Sequence, residues 1–422
     1  MAWHPHLWHP TTQVATAPEP LRVASAQGAV LALEDGRLLI DAISSWWVTL
    51  HGHSEPGIAA AIAAQAQVLE QVIFANFSHA PAERLAGRLA DLTGLERLFF
   101  SDNGSTAVEV ALKIAWQWWG NRGEPRHQLI AFEGAYHGDT VGAMALGERS
   151  HYTAPFEALL FQVARAPWPA SWDGDTTVER RESAALAELE RLLETPTAAV
   201  ILEPLIQGAS GMAMVRPTFL REVERRVRAS GALLIADEVM TGFGRCGELF
   251  ASLGAGLKPD LMALSKGLTG GFLPMGVTMA REHLYQAFIG EDPALTFFHG
   301  HSFTANPLGC AAALASLDLL EANPEAFQGF EARHRPRLNE LASFDHAVIH
   351  PRCRGTIAAF DLVVDQPGYL NSIGRELQRR CLAMGVFLRP LGNVVYLLPP
   401  LCLSDTQLDQ CYEAIRVSLR GL

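Results

Sequence analysis

One lysine and one aspartate stand at the ends of apolar runs, where they could do chemistry. The 33 Lys+Arg residues of the chain include only three lysines, Lys113, Lys258 and Lys266. Lys266 follows the apolar run LMAL, and Asp237 follows LLIA. Only a primary amine forms a Schiff base with an aldehyde, and burial lowers the pKa of a lysine toward a useful value. A buried carboxylate needs a cation beside it, because an unpaired one is costly.

Two further groups follow apolar runs in the same way. The sequence NGST places Gly104, Ser105 and Thr106 between a strand and a helix, where hydroxyls and a helix N-terminus favour an anion. Tyr136 and His137 follow LIAF, so that a flat ring could stack on a planar ligand. Singly, such residues are often helix caps, packed aromatics, turn residues or solvated lysines. Together they provide an imine lysine, an acid for a ring nitrogen, a phosphate cup and a stacking ring, as pyridoxal phosphate requires.

The elements that must position these groups alternate between strand and helix. Short apolar runs at 96–102, 127–136, 198–208, 232–239, 260–267 and 275–280 predict strands, and segments 105–119, 185–195 and 216–231 predict helices. This alternation predicts an α/β fold with a mostly parallel central sheet, covered by helices on both faces. Ligands of such sheets bind beyond the carboxyl ends of the strands, which is where the four groups fall.

The pattern changes toward both ends of the chain. Residues 1–50 are irregular and contain the strand-like runs GAVLALEDG and RLLIDAISSWW, whereas helices and strands mix differently after residue 309. We expect an N-terminal segment, 1–50, that contributes to a small domain, a large cofactor-binding domain at 51–309, and a small C-terminal α+β domain at 310–422.

Composition narrows the class of function. A net charge of -12 argues against a nucleic-acid partner, and no run of 18 apolar residues could cross a membrane. The start, MAWHPHLWHP, has neither the basic nor the apolar region of a secretory signal. The 6 cysteines are scattered without a CxxC pair, which predicts free thiols in a reducing cytoplasm and no metal site.

The residues around Asp237 and Lys266 resemble the class III aminotransferases, pyridoxal-phosphate enzymes of fold type I. DEVMTGFGRCGELFA (237–251) and KPDLMALSKGLTGG (258–271) are typical of that class, and the similarity extends from SSWW to the C-terminus. The resemblance implies that Lys266 binds the cofactor covalently and that Asp237 contacts its ring nitrogen. With Tyr136, they are the predicted catalytic residues.

The same resemblance implies the rest of the cofactor pocket. Val239 would pack on one face of the ring and Tyr136 on the other, while Gly104 and Ser105 would hold the phosphate. Tyr136 and Lys266 would also touch the substrate.

A narrower set of motifs resembles the branch of the class that aminates 8-amino-7-oxononanoate in biotin biosynthesis, with S-adenosylmethionine as amino donor. The set comprises WHPTTQV, SSWW, FSDNGSTAVEVALKIAWQWW, GAYHGDTVGAM, EPLIQGASGM, FFHGHSFTANPLGCAAA and LRPLGNVVYLLPP. It implies that Trp46 and Trp47 wall the pocket for the aliphatic chain, and that Arg389, helped by Arg245, binds the carboxylate. A seven-carbon chain with a terminal carboxylate suits flat apolar walls and one arginine.

The branch also implies a homodimer with shared active sites. Gly300 would contact the substrate, and His301 and Ser302 the phosphate, of the neighbouring subunit.

Two departures from the branch concern the amino donor. Thr11 replaces the tyrosine of the usual WHPYT motif, and HGHSF replaces HGPTF. HGHS also occurs in a branch of the same enzyme that uses lysine as donor, whereas SSWW rather than SSVW favours S-adenosylmethionine. The alternatives are L-lysine as the donor, another class III ω-aminotransferase, and a different pyridoxal-phosphate activity such as an aminomutase or decarboxylase. A non-enzymatic member that binds the cofactor without turnover is the last, and the intact Lys266 and Asp237 argue against it.

Overall fold

The chain forms four β-sheets and their surrounding helices in a computed structural model, which describes residues 3–422. The strands are β1 (Val23–Gln27), β2 (Val30–Leu33), β3 (Leu38–Asp41), β4 (Arg97–Ser101), β5 (Gln128–Phe132), β6 (Ala164–Ala166), β7 (Thr197–Leu202), β8 (Ile206–Gln207), β9 (Ala213–Met214), β10 (Leu233–Asp237), β11 (Leu261–Leu264), β12 (Gly276–Ala280), β13 (Val348–Arg354), β14 (Ile357–Leu362), β15 (Val386–Phe387) and β16 (Val394–Leu397).

The helices range from single turns to five turns. They are α1 (Ser44–Trp47, one distorted turn), α2 (Pro56–Ala66), α3 (Ala80–Thr93), α4 (Gly104–Asn121), α5 (Val141–Leu146), α6 (Val178–Leu192), α7 (Pro217–Ser230), α8 (Ala251–Gly254), α9 (Glu282–Gln286), α10 (Pro307–Ala322), α11 (Glu325–Gln328), α12 (Phe330–Phe344), α13 (Ile373–Ala383) and α14 (Asp405–Leu419). Short 3₁₀ turns occupy Ala154–Leu159, Lys266–Thr269 and Pro293–Leu295. Between residues 3 and 422, no helix combines the length and the apolar character needed to cross a bilayer.

The central sheet has seven strands in the order β4-β12-β11-β10-β7-β5-β6. All neighbouring pairs are parallel except those of β12, which runs antiparallel to β11 and to β4. Strands β7, β10 and β11 are buried along their whole length, which explains their continuous apolar sequences. The predicted α/β fold with a mostly parallel sheet is confirmed.

Helices cover both faces of this sheet. Successive side chains of a strand point to opposite faces. Accordingly, Leu234 of β10 lies in one core with Val223 of α7, whereas the next residue, Ile235, lies in another with Val108 of α4. The sheet is therefore packed between two layers of helices.

Six strands of the sheet end at the same edge. Because β4, β5, β6, β7, β10 and β11 run in one direction, their last residues lie along that edge: Ser101, Phe132, Ala166, Leu202, Asp237 and Leu264. The groups first singled out in the sequence lie here: Gly104, Tyr136 and Lys266 follow the ends of β4, β5 and β11 by a few residues, and Asp237 is itself the last residue of β10.

The two ends of the chain meet outside the central sheet. Strand β15 pairs in parallel with β3, which completes the sheet β1-β2-β3-β15, and β13, β14 and β16 form a separate antiparallel sheet. The division at residues 50 and 309 remains a prediction.

Several local elements differ from the sequence expectation. Strands β1, β6, β9 and β13 were not predicted; β1 is largely exposed, and β6 and β9 have only three and two residues, so none of these three carries a clear apolar pattern. The strand-like run RLLIDAISSWW forms a strand only as far as Asp41, because the Asp41 carboxylate accepts hydrogen bonds from the backbone of the following residues and bends the chain.

Candidate active site

Lys266 lies at the centre of the polar groups on this edge. It starts the turn after β11 with φ of 44°, in the left-handed region that non-glycine residues rarely adopt. Its Nζ lies 4.6 Å from the centre of the Trp47 ring. Burial lowers the pKa of Lys266 from 10.5 to about 8, although the negative charges of Asp237 and Glu203 oppose this shift. A neutral, nucleophilic amine is therefore accessible near neutral pH.

Asp237 is held in one orientation by two neighbours. The residue is 4% exposed, its Oδ2 lies 2.6 Å from His137 Nδ1, and its Oδ1 accepts a hydrogen bond from Val239 N at 3.1 Å. His137 is itself buried, and its Nε2 has no partner within residues 3–422. The sequence placed His137 after a strand but gave no sign of this contact, which joins the ends of β5 and β10.

The start of helix α4 forms a cup for an anion. Asn103 caps the helix: its side chain accepts from Thr106 N at 3.0 Å, and Thr106 Oγ1 accepts from Asn103 N at 3.1 Å. The Thr106 hydroxyl is thus committed to the cap. The N–H groups of Gly104 and Ser105 remain for a ligand at the positive end of an 18-residue helix.

The Ser105 hydroxyl is positioned by a chain of two further residues. Ser105 Oγ accepts from Thr140 N at 3.0 Å and lies 2.7 Å from Thr140 Oγ1, which donates to Glu109 Oε1 at 2.7 Å. Because the only Thr140 hydroxyl proton goes to Glu109, the Ser105 proton is available to Thr140 or to a bound anion. Sequence reasoning missed Glu109, whose only signal is its position one helical turn beyond Ser105.

Val239 and Tyr136, the two residues predicted to enclose the cofactor ring, follow the ends of β10 and β5. Val239 packs so closely on Gly104 that a Cβ at that position would collide with Val239 Cγ1. Tyr136 is 41% exposed, and its backbone N–H donates to Glu203 Oε1 at 3.0 Å. Glu203 was also missed by the sequence reasoning; it is buried after β7, and burial raises its pKa to about 7.

These residues fit pyridoxal phosphate. A half-buried lysine can take up the aldehyde, an oriented buried carboxylate can pair with the ring N–H, and a free helix N-terminus with a serine can hold the phosphate.

The two adjacent tryptophans lie on a strained turn. In Ser44–Trp47, Ser44, Ser45 and Trp47 have φ of 52°, 59° and 66°, and each such residue costs about 1–3 kcal/mol. The turn directs the two indoles differently: Trp46 is 43% exposed, whereas Trp47 is 5% exposed and its Nε1 donates to Tyr396 Oη at 2.9 Å.

The two predicted carboxylate-binding arginines have different environments. The Arg389 guanidinium stacks 4.3 Å from the centre of the Trp46 ring, and its Nη2 lies 3.4 Å from Thr11 Oγ1. Arg245 is 1% exposed, and its Nη1 donates to Pro399 O at 2.7 Å. Burial lowers the Arg245 pKa to about 9. Arg389 is accessible to a ligand, whereas Arg245 is buried against backbone carbonyl groups. The roles of both arginines in substrate binding remain predictions.

Within residues 3–422, no hydrogen bond joins the segment predicted to serve a neighbouring subunit to Lys266, Asp237 or Ser105. In Gly300–Ser302, the Ser302 carbonyl accepts from Gln71 Nε2 at 2.8 Å. The flanking Phe298 and Phe303 are 73% and 64% exposed. The roles of Gly300, His301 and Ser302 therefore stay predictions that concern a second chain.

The sequence of this chain is similar to proteins of one aminotransferase family. The sequence profile described as Aminotransferase class-III matches residues 11–419. A relative from Synechococcus elongatus, named adenosylmethionine-8-amino-7-oxononanoate aminotransferase, is 58% identical over 418 residues and covers 98% of each chain. A relative of the same name from Geobacter sulfurreducens is 38% identical over 98% of this chain and 95% of its own.

Solved structures give the same grouping. The adenosylmethionine-8-amino-7-oxononanoate aminotransferase of Methanocaldococcus jannaschii superposes with a TM-score of 0.90 at 32% identity, covering 98% of this chain and 97% of its own. An amine transaminase from an uncultivated Pseudomonas species, in a PLP-bound form, gives a TM-score of 0.93 at 30% identity, covering 100% and 99%.

Proposed function

Since this chain belongs to the class III aminotransferases, we propose that it converts 8-amino-7-oxononanoate to 7,8-diaminononanoate in biotin biosynthesis. It is an aminotransferase with pyridoxal 5′-phosphate as cofactor, as are its structural neighbours. The proposed amino donor is S-adenosylmethionine, the donor in the name of its curated relatives.

The observation that carries the proposal is the stack of Arg389 on Trp46. The guanidinium lies 4.3 Å from the indole centre, and Trp46 leaves 43% of its surface exposed. An apolar wall that ends in one accessible arginine suits an aliphatic chain with a terminal carboxylate. The neighbouring Trp47 connects this wall to Lys266, where the ketone would react.

The residues of the site have separate tasks in the proposed reaction. When bound, pyridoxal phosphate supplies the aldehyde that carries the amino group and the ring that takes up the electron pair released at the donor carbon. Lys266 Nζ, neutral above a pH of about 8, takes the α-proton of the donor and returns it. Asp237 keeps the ring nitrogen protonated, and Ser105 and the α4 N-terminus hold the phosphate.

We place the enzyme in the cytoplasm and propose a homodimer. Phe298 and Phe303, beside Gly300–Ser302, present large apolar side chains to solvent, and a second copy would cover them while it received His301 and Ser302 at its phosphate.

The donor and acceptor can be tested in two separate half-reactions. The visible absorbance of the bound cofactor should bleach with S-adenosylmethionine and return when 8-amino-7-oxononanoate is added. Bleaching by L-lysine alone would retain the product but replace the donor. Bleaching by neither amine, or no recovery with the ketone, would contradict the proposed function and favour an ω-aminotransferase.

Replacement of Arg389 should separate acceptor binding from chemistry. In Arg389→Leu, we expect KM for 8-amino-7-oxononanoate to rise about 10–100-fold with little change in kcat, because a charge-assisted hydrogen bond is lost in the ground state and the transition state alike. The measurement is steady-state kinetics at saturating donor. Arg379→Leu is the matched control, since Arg379 pairs only with Glu376 on the surface of α13. An unchanged KM in Arg389→Leu would assign the carboxylate to another group, such as Arg245.

A further inference from the structure

Asp41 has a fully buried carboxylate that the proposed chemistry does not use. The residue is the last of β3, is 0% exposed, and is separated from the Ser44–Trp47 turn by Ala42 and Ile43. Its Oδ2 accepts from Ser45 N at 2.6 Å and from Ser45 Oγ at 3.0 Å, and lies 2.9 Å from His53 Nε2. Its Oδ1 accepts from Ile43 N at 3.2 Å. Four donors therefore converge on one side chain.

These contacts oppose the strain of the turn. Three of its four residues have positive φ, which the chain adopts only when its surroundings fix it. A carboxylate that accepts from Ile43 N and Ser45 N fixes the backbone at the entry of the turn. Ser44, the first residue of the turn, is held by a second contact, because its Oγ donates a hydrogen bond to Leu398 O at 2.8 Å.

The Ser44–Trp47 turn determines the positions of both tryptophan side chains. Trp46 supports the Arg389 guanidinium, and Trp47 lies beneath Lys266 Nζ and donates to Tyr396. A relaxation of the backbone would move the acceptor wall and the arginine together, because the two are stacked.

We propose that Asp41 is a positioning residue for the acceptor: its carboxylate holds the Ser44–Trp47 turn in the conformation that presents Trp46 to Arg389. This inference rests on the proposed function, since it assigns the wall to 8-amino-7-oxononanoate. Asp41 acts through the turn and does not touch the substrate.

The test compares Asp41→Asn with Asp260→Asn in the holoenzyme. Asparagine has nearly the shape of aspartate, but its N–H₂ faces a backbone N–H in place of one acceptor oxygen. Asp260 is 5% exposed, and its Oδ2 accepts from Leu234 N at 2.8 Å at the opposite end of the central sheet. Asp260→Asn is therefore a control with the same substitution as Asp41→Asn, at a carboxylate that is likewise buried and likewise accepts a hydrogen bond from a backbone N–H.

Two measurements are made on each variant. Hydrogen exchange of the amides of Ser45–Val48 should be faster in Asp41→Asn and unchanged in Asp260→Asn. In the half-reaction of the aminated enzyme with 8-amino-7-oxononanoate, the apparent Kd should rise about 10–100-fold in Asp41→Asn while the limiting rate stays within about threefold, because the acceptor is misplaced rather than the reacting groups. A general loss of structure would lower the limiting rate as well.

Each contrary result has a definite meaning. Unchanged exchange at Ser45–Val48 would overturn the inference, and so would faster exchange with an unchanged Kd or an equal loss of limiting rate. If the wild-type enzyme does not react with the ketone, the proposed function fails, while hydrogen exchange still decides whether Asp41 holds the turn. If Asp41→Asn does not fold, Ser45→Ala removes one contact and should give a smaller effect of the same kind.

Discussion

Lys266→Ala is expected to abolish turnover, with a loss of about 10²–10⁴-fold from the missing proton transfer alone. Lys266→Arg should be equally inactive, because an arginine keeps its proton at any ordinary pH and forms no Schiff base. Absorbance of the covalently bound cofactor, turnover and the yield of borohydride-trapped protein should fall together in both variants. The position therefore needs a nucleophilic amine that can lose its proton, rather than a positive charge.

The pH dependence of trapping gives the sign of this effect. Burial lowers the pKa of Lys266 to about 8, so the neutral amine accumulates as the pH rises through 8, instead of near 10.5 as for an exposed lysine. Trapping of pyridoxal phosphate by the cofactor-free protein should rise over the same range.

Lys258→Arg is the matched control for Lys266. Lys258 lies on the surface before β11, eight residues upstream on the same signature segment, and its replacement should leave trapping and turnover unchanged. Turnover that survives in Lys266→Ala, or disappears in Lys258→Arg, would show that the reactive lysine has been misassigned.

Asp237→Asn is expected to lower kcat by about 10²–10³-fold, the range for loss of a preorganised electrostatic contact in a water-excluded site. Asparagine can still accept from Val239 N and contact His137, so the geometry is retained while the charge is lost. The ring nitrogen would lose the partner that keeps it protonated, and the ring would withdraw electrons less strongly. The measurement is kcat at full cofactor content.

Trapping separates the two roles in this variant. Borohydride should still fix the cofactor to Lys266 in Asp237→Asn, because that bond needs only the amine. Asp260→Asn, which also neutralises a buried carboxylate bound to a backbone N–H, should keep its full rate. A normal kcat in Asp237→Asn would mean that the carboxylate does not face the ring nitrogen.

The central sheet and its catalytic ends could be predicted from the sequence because the signal there is local. Long apolar runs identify buried strands, and a polar residue directly after such a run must lie at the sheet edge, as Asp237 and Lys266 do. Their meeting in space follows from parallel strands alone. The same reasoning brought Gly104 and Tyr136 to this edge.

What could not be predicted depends on contacts between distant residues. Nothing near His137 indicates that it reaches Asp237, 100 positions later, or that Tyr136 N donates to Glu203. The sequence SSWW also does not predict a turn with three positive φ values, because serine and tryptophan favour such angles no more than other residues. That conformation depends on Asp41 and on the Leu398 carbonyl, which only the folded chain supplies.

The contacts of the Ser44–Trp47 turn also bear on the order in which the molecule is made. Ser44 bonds to a carbonyl 354 positions later, and Trp47 to a hydroxyl 349 positions later. A ribosome releases the N-terminus first, and domains fold as they emerge. The lysine and the phosphate cup can therefore assemble while the substrate wall still lacks its partners. Contacts of such long sequence separation form slowly, so we expect the predicted substrate wall to form after the lysine and the phosphate cup in a newly synthesised chain.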